Sequence, residues 1–308
     1  LHLPPRMFGL SNGRLIKKKS SPTGSLFHYK MELPYSTYLL SIVAGEFAEH
    51  KETVKGVDIK WYVQKGREKE GQNAFQDTAD IIRFFSEYTR YPYPYPHYTQ
   101  IAVPEFIFGG MENFTVTTQT DLTLHDDRAH QDIDSNGLVA HEAAHMWFGD
   151  LVTMEWWDDL WLNESFASWM GNKAVDHLYP SWDMWTQFVF QDTNSGLSLD
   201  GLENSHPIEV SVGNPAEIGE LFDAISYNKG GAVLRMLESF LGEETFRRGI
   251  YHYLSAHSYG NARTEDLWAG LESASGQPVT RIMNTWIKQP GYPVLDVKTS
   301  RSIDAISL

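Results

Sequence analysis

The chain has 308 residues, of which 42% are apolar and 21% charged, ordinary globular usage that excludes a disordered tail, a collagen-like fibre or a low-complexity linker. With 25 Lys+Arg against 40 Asp+Glu the net charge is −15, which repels phosphate backbones, argues against a nucleic-acid partner and suits cationic ligands such as a peptide's free amine. No cysteine is present, so disulfides, thiolate metal sites and a cysteine nucleophile are all excluded.

Along the chain, residues 1–63 read as β structure. Ser36–Val43 and Val57–Val63 are rich in β-branched and aromatic residues, the second alternates with period two, and Gly56 punctuates the gap. The Lys17–Lys19 run reads as a loop. Leu33–Gly45, the longest weakly charged stretch, is too short to cross a bilayer, so no membrane span is expected. Leu1–Leu10 has no apolar core segment; no signal peptide is read, and the cytoplasm is slightly favoured for a compartment that is otherwise unknown.

Gly66–Gly71, charged and glycine-bearing, marks a boundary. Phe75, Ala79, Ile82 and Phe85 recur at helical spacing, which predicts a helix to about Tyr88. Tyr and Pro alternate over Tyr91–Pro96, which cannot be helical. Gln100–Val103 and Thr115–Thr118 read as strands flanking a Gly109-Gly110 turn. Helices dominate from Asp132. One is capped by Asp132 or Asp134 and runs through His145; another is capped by Asn163 and runs to about Leu178. Later helical patterns cover Ala232–Phe240, Glu244–His257, Thr264–Ala274 and Val279–Lys288, and Tyr292–Val297 returns to strand-like residues.

His141-Glu142-Ala143-Ala144-His145 is the strongest chemical signal. Histidines at i and i+4 stand one above the other on a helix face, so both imidazoles can reach one ion about 2 Å away. Glu142 lies one residue further round, placed to act on water without being a ligand. Glu164 follows His145 after 18 residues, on the next predicted helix. Two antiparallel helices joined by the Gly149–Trp161 loop bring it opposite the histidine pair, giving His₂Glu with one open position, the pattern of a catalytic zinc site. Trp147, Phe148, Trp156, Trp157, Trp161 and Phe166 crowd this segment, mostly as core. Asp150, Asp158 and Asp159 are candidate acceptors for the far nitrogens of the ligands.

These residues, with three further motifs, resemble the M1 (gluzincin) zinc aminopeptidases. Phe108-Gly109-Gly110-Met111-Glu112-Asn113 is similar to the family's Gly-x-Met-Glu-Asn motif, 28 residues before His141. Trp156–Met170 resembles the segment holding the family's third ligand, and Tyr227-Asn228-Lys229-Gly230 the one carrying its catalytic tyrosine. Ser36–Gly45 and Lys288–Val297 also read like family sequence. Two departures stand out: Gly110, where the family more often has Ala, and a start at Leu1 that lies after the family's upstream polar anchor for the substrate amine.

The resemblance implies an α+β fold with a thermolysin-like, mainly helical catalytic domain and a small mixed sheet. The expected organisation is the C-terminal part of an all-β domain over 1–65, a zinc peptidase domain over 66–290 and the start of a β segment over 291–308, with the remaining N- and C-terminal family domains absent. It implies one Zn²⁺ per chain on His141, His145 and Glu164, with Glu142 as general base and Tyr227 donating to the oxyanion. Gly109, Gly110, Met111, Glu112 and Asn113 are expected to bind the substrate, Glu112 pairing with the α-ammonium of a peptide with a free N-terminus. The activity implied is removal of N-terminal residues. The rivals are a thermolysin-like zinc endopeptidase and a catalytically inactive peptide-binding or scaffold fragment; a lipid-epoxide hydrolase side activity has no positive support in the sequence.

Overall fold

The computed structural model describes residues 1–299 and 306–307. The N-terminal part is built of small sheets. Strands β1 (His2–Leu3), β2 (Phe8–Ser11), β3 (Arg14–Ser21), β4 (Gly24–Lys30) and β5 (Ile42–Gly45) form a three-stranded sheet in the order β1-β4-β3 and a separate β2–β5 pair. The lysine run therefore lies in an exposed edge strand, β3, rather than in a loop: its side chains all face water, and solvation makes charge compatible with an edge. Ser36–Val43 is not one strand. Thr37–Leu39 close a short 3₁₀ turn, and only Ile42 onward pairs, with β2.

A five-stranded sheet follows, in the order β6-β7-β8-β10-β9: β6 (Phe47–Val54), β7 (Val57–Gln64), β8 (His97–Val103), β9 (Gly110–Met111) and β10 (Val116–Thr120). The partner of the hydrophobic β7 is the charged β6, antiparallel, with Val54 opposite Val57. β7, β8 and β10 run parallel, and β9 joins β10 antiparallel at the edge, with Met111 opposite Thr118. The glycine pair thus opens an edge strand instead of a simple turn. The sheet takes two strands from before residue 65 and three from after it.

Between β7 and β8 the chain makes α1 (Glu68–Phe75) and α2 (Thr78–Tyr88). Alternation along β7 sorts its side chains: Ile59, Trp61 and Val63 join the main core with Phe75, Ile81 and Phe85, whereas Tyr62 faces the other way, onto Leu10, Ile101 and Val116. One face of the sheet is covered by helices and the other by the β2–β5 pair.

The rest is mainly helical: α3 (Asn136–Ala144), α4 (Trp161–Leu178), α5 (Met184–Phe188), α6 (Asn194–Asp200), α7 (Gly230–Leu241), α8 (Glu243–His257), α9 (Thr264–Ser275) and α10 (Val279–Ile287). The short parallel pair β11 (Val152–Met154) and β12 (Gly260–Ala262) ties the loop after α3 to the helices beyond. Two π-helical turns, Val189–Thr193 and Ile225–Lys229, precede α6 and α7. α4 begins at Trp161, so Asn163 lies in its first turn and does not cap it. Tyr292–Val297 carries no regular structure; the last described residues are the paired segments Lys298–Thr299 and Ile306–Ser307, and residues 300–305 and 308 of the expected 291–308 segment lie outside the described residues.

α3 and α4 are buried on most of their faces, which explains why neither is strongly amphipathic. Trp147, Trp161, Trp169 and Trp268 are fully buried around them. Each removes on the order of 200 Å² from water, about 5 kcal/mol in area terms. No helix among the described residues is long and apolar enough to cross a membrane.

Candidate active site

α3 delivers the histidines at its C-terminal end, and α4 packs across it with Glu164 in its first turn. His141 Nε2 and His145 Nε2 are 3.1 Å apart; Glu164 Oε2 is 3.3 Å from the first and 3.5 Å from the second. Three donors each about 2.05 Å from one ion at tetrahedral angles stand about 3.3 Å apart, so this triangle has the dimensions of a tetrahedral metal site. Glu164 Oε2 and Glu142 Oε2 are buried without a hydrogen-bond partner, a cost that a bound cation removes. The donor set, the distances and the orphaned oxygens all fit a metal ion, and His141, His145 and Glu164 can hold one.

The two histidines are oriented from behind. His145 Nδ1 lies 3.0 Å from the Phe148 carbonyl, which only accepts, so Nδ1 carries the proton and Nε2 presents its lone pair. His141 Nδ1 is 3.5 Å from Ser168 Oγ. None of the expected aspartates plays this part. Asp158 accepts from the Val212 N–H, Asp159 from Thr264, and Asp150 is buried with both oxygens unpartnered. The acceptor is instead a backbone carbonyl of the tight turn that follows α3, three residues after His145.

The electrostatics separate the carboxylates. Burial pushes Glu142 well above the usual carboxylate range; His145 opposes this, and Glu112 and Glu164 add to it. Burial also raises Glu164, but His145 and His141 outweigh it and hold its carboxyl low. Glu112 is raised by burial against the pull of His145. One carboxylate prefers its proton while another, a few ångströms away, refuses it.

Glu112 comes from the edge strand's end. A donor atom each from Glu112, Glu142 and His145 lie within 4.8 Å of one another, so the structure brings the Gly-Gly-Met-Glu segment beside the histidine and glutamate side chains that could hold a metal. Gly110 permits the approach: a Cβ there would sit 2.1 Å from Glu142 Oε1. Gly109 and Met111 flank it, the Gly109 carbonyl accepting from the Thr120 N–H. Asn113 is turned to the scaffold: its Nδ2 donates to the Leu40 carbonyl at 3.3 Å and its Oδ1 accepts from Thr118 at 2.9 Å. Tyr227 stacks on the His141 ring, with centroids 5.9 Å apart and planes 11° off parallel. Burial, then the charges of Glu164 and Glu112, push its phenol well above its ordinary value.

Tyr38 was not legible as a site residue. Its hydroxyl sits 3.5 Å from Glu112 Oε1 and accepts from Asn163 Nδ2 at 3.2 Å, while its ring leans on Trp157. It lies 125 positions from Asn163, and no spacing rule connects them.

Residues 73–286 match the model of the peptidase family M1 domain. The chain belongs to peptidase family M1. Among curated M1 relatives it is 45% identical to Aminopeptidase M1 of Arabidopsis thaliana over 303 residues, 97% of this chain and 34% of that protein. It is 45% identical to Probable aminopeptidase 2 of Sulfurisphaera tokodaii over 270 residues, 87% of this chain and 35% of that one. Leucyl aminopeptidase of Saccharolobus solfataricus is 40% identical over 294 residues, 94% and 38% respectively. The chain therefore spans about a third of the length of these curated relatives.

Proposed function

We propose that this chain carries the catalytic centre of a zinc-dependent aminopeptidase, one Zn²⁺ per chain, that removes N-terminal residues from peptides. The observation that carries the reading is the juxtaposition of Glu112 with Glu142 and His145: a carboxylate able to pair with a free α-ammonium stands beside a metal-ligand triangle and a base. The catalytic unit in this reading is thermolysin-like and spans 66–290, with β6 and β7 completing its sheet. In this reading residues 1–65 form a preceding β unit whose last two strands, β6 and β7, are shared with that sheet.

Zn²⁺ on His141, His145 and Glu164 would supply the Lewis acidity that activates water and polarises the scissile carbonyl. Glu142, whose burial favours its protonated form, takes the proton from the attacking water on its carboxylate and returns it to the leaving amine. Tyr227, held protonated by its surroundings, donates its phenolic hydrogen to the oxyanion. Glu112 registers the chain end by pairing with the ammonium, a charge-assisted contact worth about 1.5–3 kcal/mol. Among the described residues β9 has a single strand neighbour, so the backbone of Gly109, Gly110 and Met111 is placed to pair with an extended peptide as an added strand. Asn113 holds that strand in register through Thr118 and Leu40.

A panel of aminoacyl-arylamides, each with a free and an N-acetylated amine, tests the reading with and without phenanthroline. Cleavage of the free-amine series alone, stopped by the chelator, is expected. Comparable cleavage of the acetylated series would overturn it in favour of an endopeptidase.

A further inference from the structure

The Ile225–Lys229 turn that carries Tyr227 is π-helical, a wide geometry that is rare, occurs mostly as single turns and is frequent at functional sites. Side chains from elsewhere hold each part of it. At its start, Asp223 Oδ1 accepts from the N–H groups of Ile225 and Ser226 at 2.9 and 3.1 Å, and Asp223 Oδ2 is 2.7 Å from His206 Nε2. In its middle, Ser165 Oγ donates to the Ser226 carbonyl at 2.6 Å, and Asn228 Nδ2 donates to Asp192 at 2.7 Å. At its end, Lys229 Nζ lies 2.7 Å from Asp200 Oδ2, with both side chains essentially inaccessible, 1% and 0% exposed.

That last pair is built into a closed ring of contacts. Lys229 Nζ also donates to the Gly291 carbonyl at 3.1 Å; the Gly291 N–H returns a bond to Asp200 Oδ1 at 2.8 Å, and Ser205 Oγ donates to the same oxygen at 2.7 Å. α6 is pressed against the turn so closely that a Cβ on Gly196 would lie 2.5 Å from the Lys229 nitrogen. A buried ion pair contributes little net stability over a well-packed apolar pair, but it fixes where two segments meet. Lys229 stands two positions after Tyr227, with only Asn228 between them.

The geometry points to Asp200 and Lys229 as positioning residues for Tyr227: they lock the π-turn so that the phenol faces the metal cluster. This rests on the reading that Tyr227 stabilises the oxyanion. Neither residue touches the cluster; they act through the turn. Reaction geometry is sensitive to displacements of about 1 Å, which cost on the order of 100-fold in rate.

The test is a double-mutant cycle between Asp200→Asn and Tyr227→Phe in the zinc-loaded protein, with Ser205→Ala as a milder variant that removes one bond to Asp200 and leaves the ion pair in place. Asp200→Asn is expected to lower kcat about 10- to 100-fold with KM within about twofold and zinc still at one equivalent. In the Tyr227→Phe background it should cost less than about twofold more, and Ser205→Ala should show the same coupling on a smaller scale. If Asp200→Asn does not fold, the Ser205→Ala cycle decides alone. Equal losses in both backgrounds, or unchanged kcat in Asp200→Asn and Ser205→Ala while Tyr227→Phe is impaired, would overturn the positioning role and leave Tyr227's role intact. Full kcat in Tyr227→Phe would remove the catalytic role of Tyr227 and this proposal with it.

Discussion

α3 and α4 meet the Ile225–Lys229 turn at one cluster, yet the two regions hold their side chains by different means. In the helical pair, regular backbone geometry and a dry core do the work: His141 and His145 converge because they are one helical turn apart, and Glu164 faces them because α4 packs on α3. In the turn, the backbone geometry is unusual and side chains of Asp223, Ser165, Asp192 and Asp200 impose it. The first region is set by periodicity and burial. The second is set by tethers, and tethers carry charges that respond to substitution and pH.

The contrast predicts where damage falls. Removing a metal ligand should have the largest effect on activity and a limited one on fold. His145→Ala or Glu164→Ala should abolish stoichiometric zinc and turnover while far-UV circular dichroism stays native, because the four buried tryptophans around these helices outweigh the local change. Metal analysis finding one zinc per chain in either variant would exclude that residue as a ligand. Glu142→Gln comes next. It should keep zinc and lose about 10²–10⁴ in kcat, the usual worth of a general base; full turnover would cancel the assignment. Glu112→Ala should lower kcat/KM for free-amine substrates about 10- to 150-fold, matching the 1.5–3 kcal/mol of a charge-assisted contact, with a smaller change for acetylated ones. An equal loss on both series would mean that Glu112 acts on structure and not on the amine.

Legibility followed the same divide. The His-Glu-x-x-His run and the downstream Glu164 were readable because a helix converts spacing into a face. α2 and the helices from α7 to α10 were readable for the same reason, and β7 because its residues alternate with period two. What failed were places where local pattern and tertiary environment disagree. Ser36–Val43 has strand-forming residues but bends at Thr37–Leu39, where the Phe114 N–H and Asn12 Nδ2 take up the Leu39 carbonyl. Lys17–Lys19 has loop composition but sits in a solvated strand. The stretch from Met184 to Asp200 folds into helix around a π-turn with no clear apolar period to announce it. Tyr38, Asp200 and Asp223 act through contacts spanning 29 to 125 positions or through a nonstandard turn, and one-dimensional spacing does not encode such contacts.

The smallest effect is expected at the tether nearest to solvent and sharpens the contrast through pH. The hydrogen bond that His206 donates to Asp223 raises the His206 pKa above its ordinary 6.5, burial opposing it. Burial pushes Asp223 up, but the bond from His206 overrides this and its pKa falls below 3.8. A histidine raised on folding adds stability that is complete below about pH 6.5 and fades as pH climbs through the raised value. An aspartate lowered on folding adds stability above about pH 3.8 that is lost as pH falls through the lowered value. The pair therefore stabilises the start of the π-turn most between those limits. His206→Gln, which keeps a neutral donor, should lower the melting temperature more at pH 6 than at pH 8.5. Because the pair is partly exposed, 27% and 23% in its side chains, the difference should amount to a few degrees at most. The same measurement on Asn172→Ala in α4 should show no comparable pH dependence, since that amide donates to the Ser168 carbonyl, a bond between neutral groups. Equal melting shifts for His206→Gln at both pH values would mean that the turn is held by its neutral hydrogen bonds, and the distinction between a packed and a charge-tethered wall of the site would lose its basis.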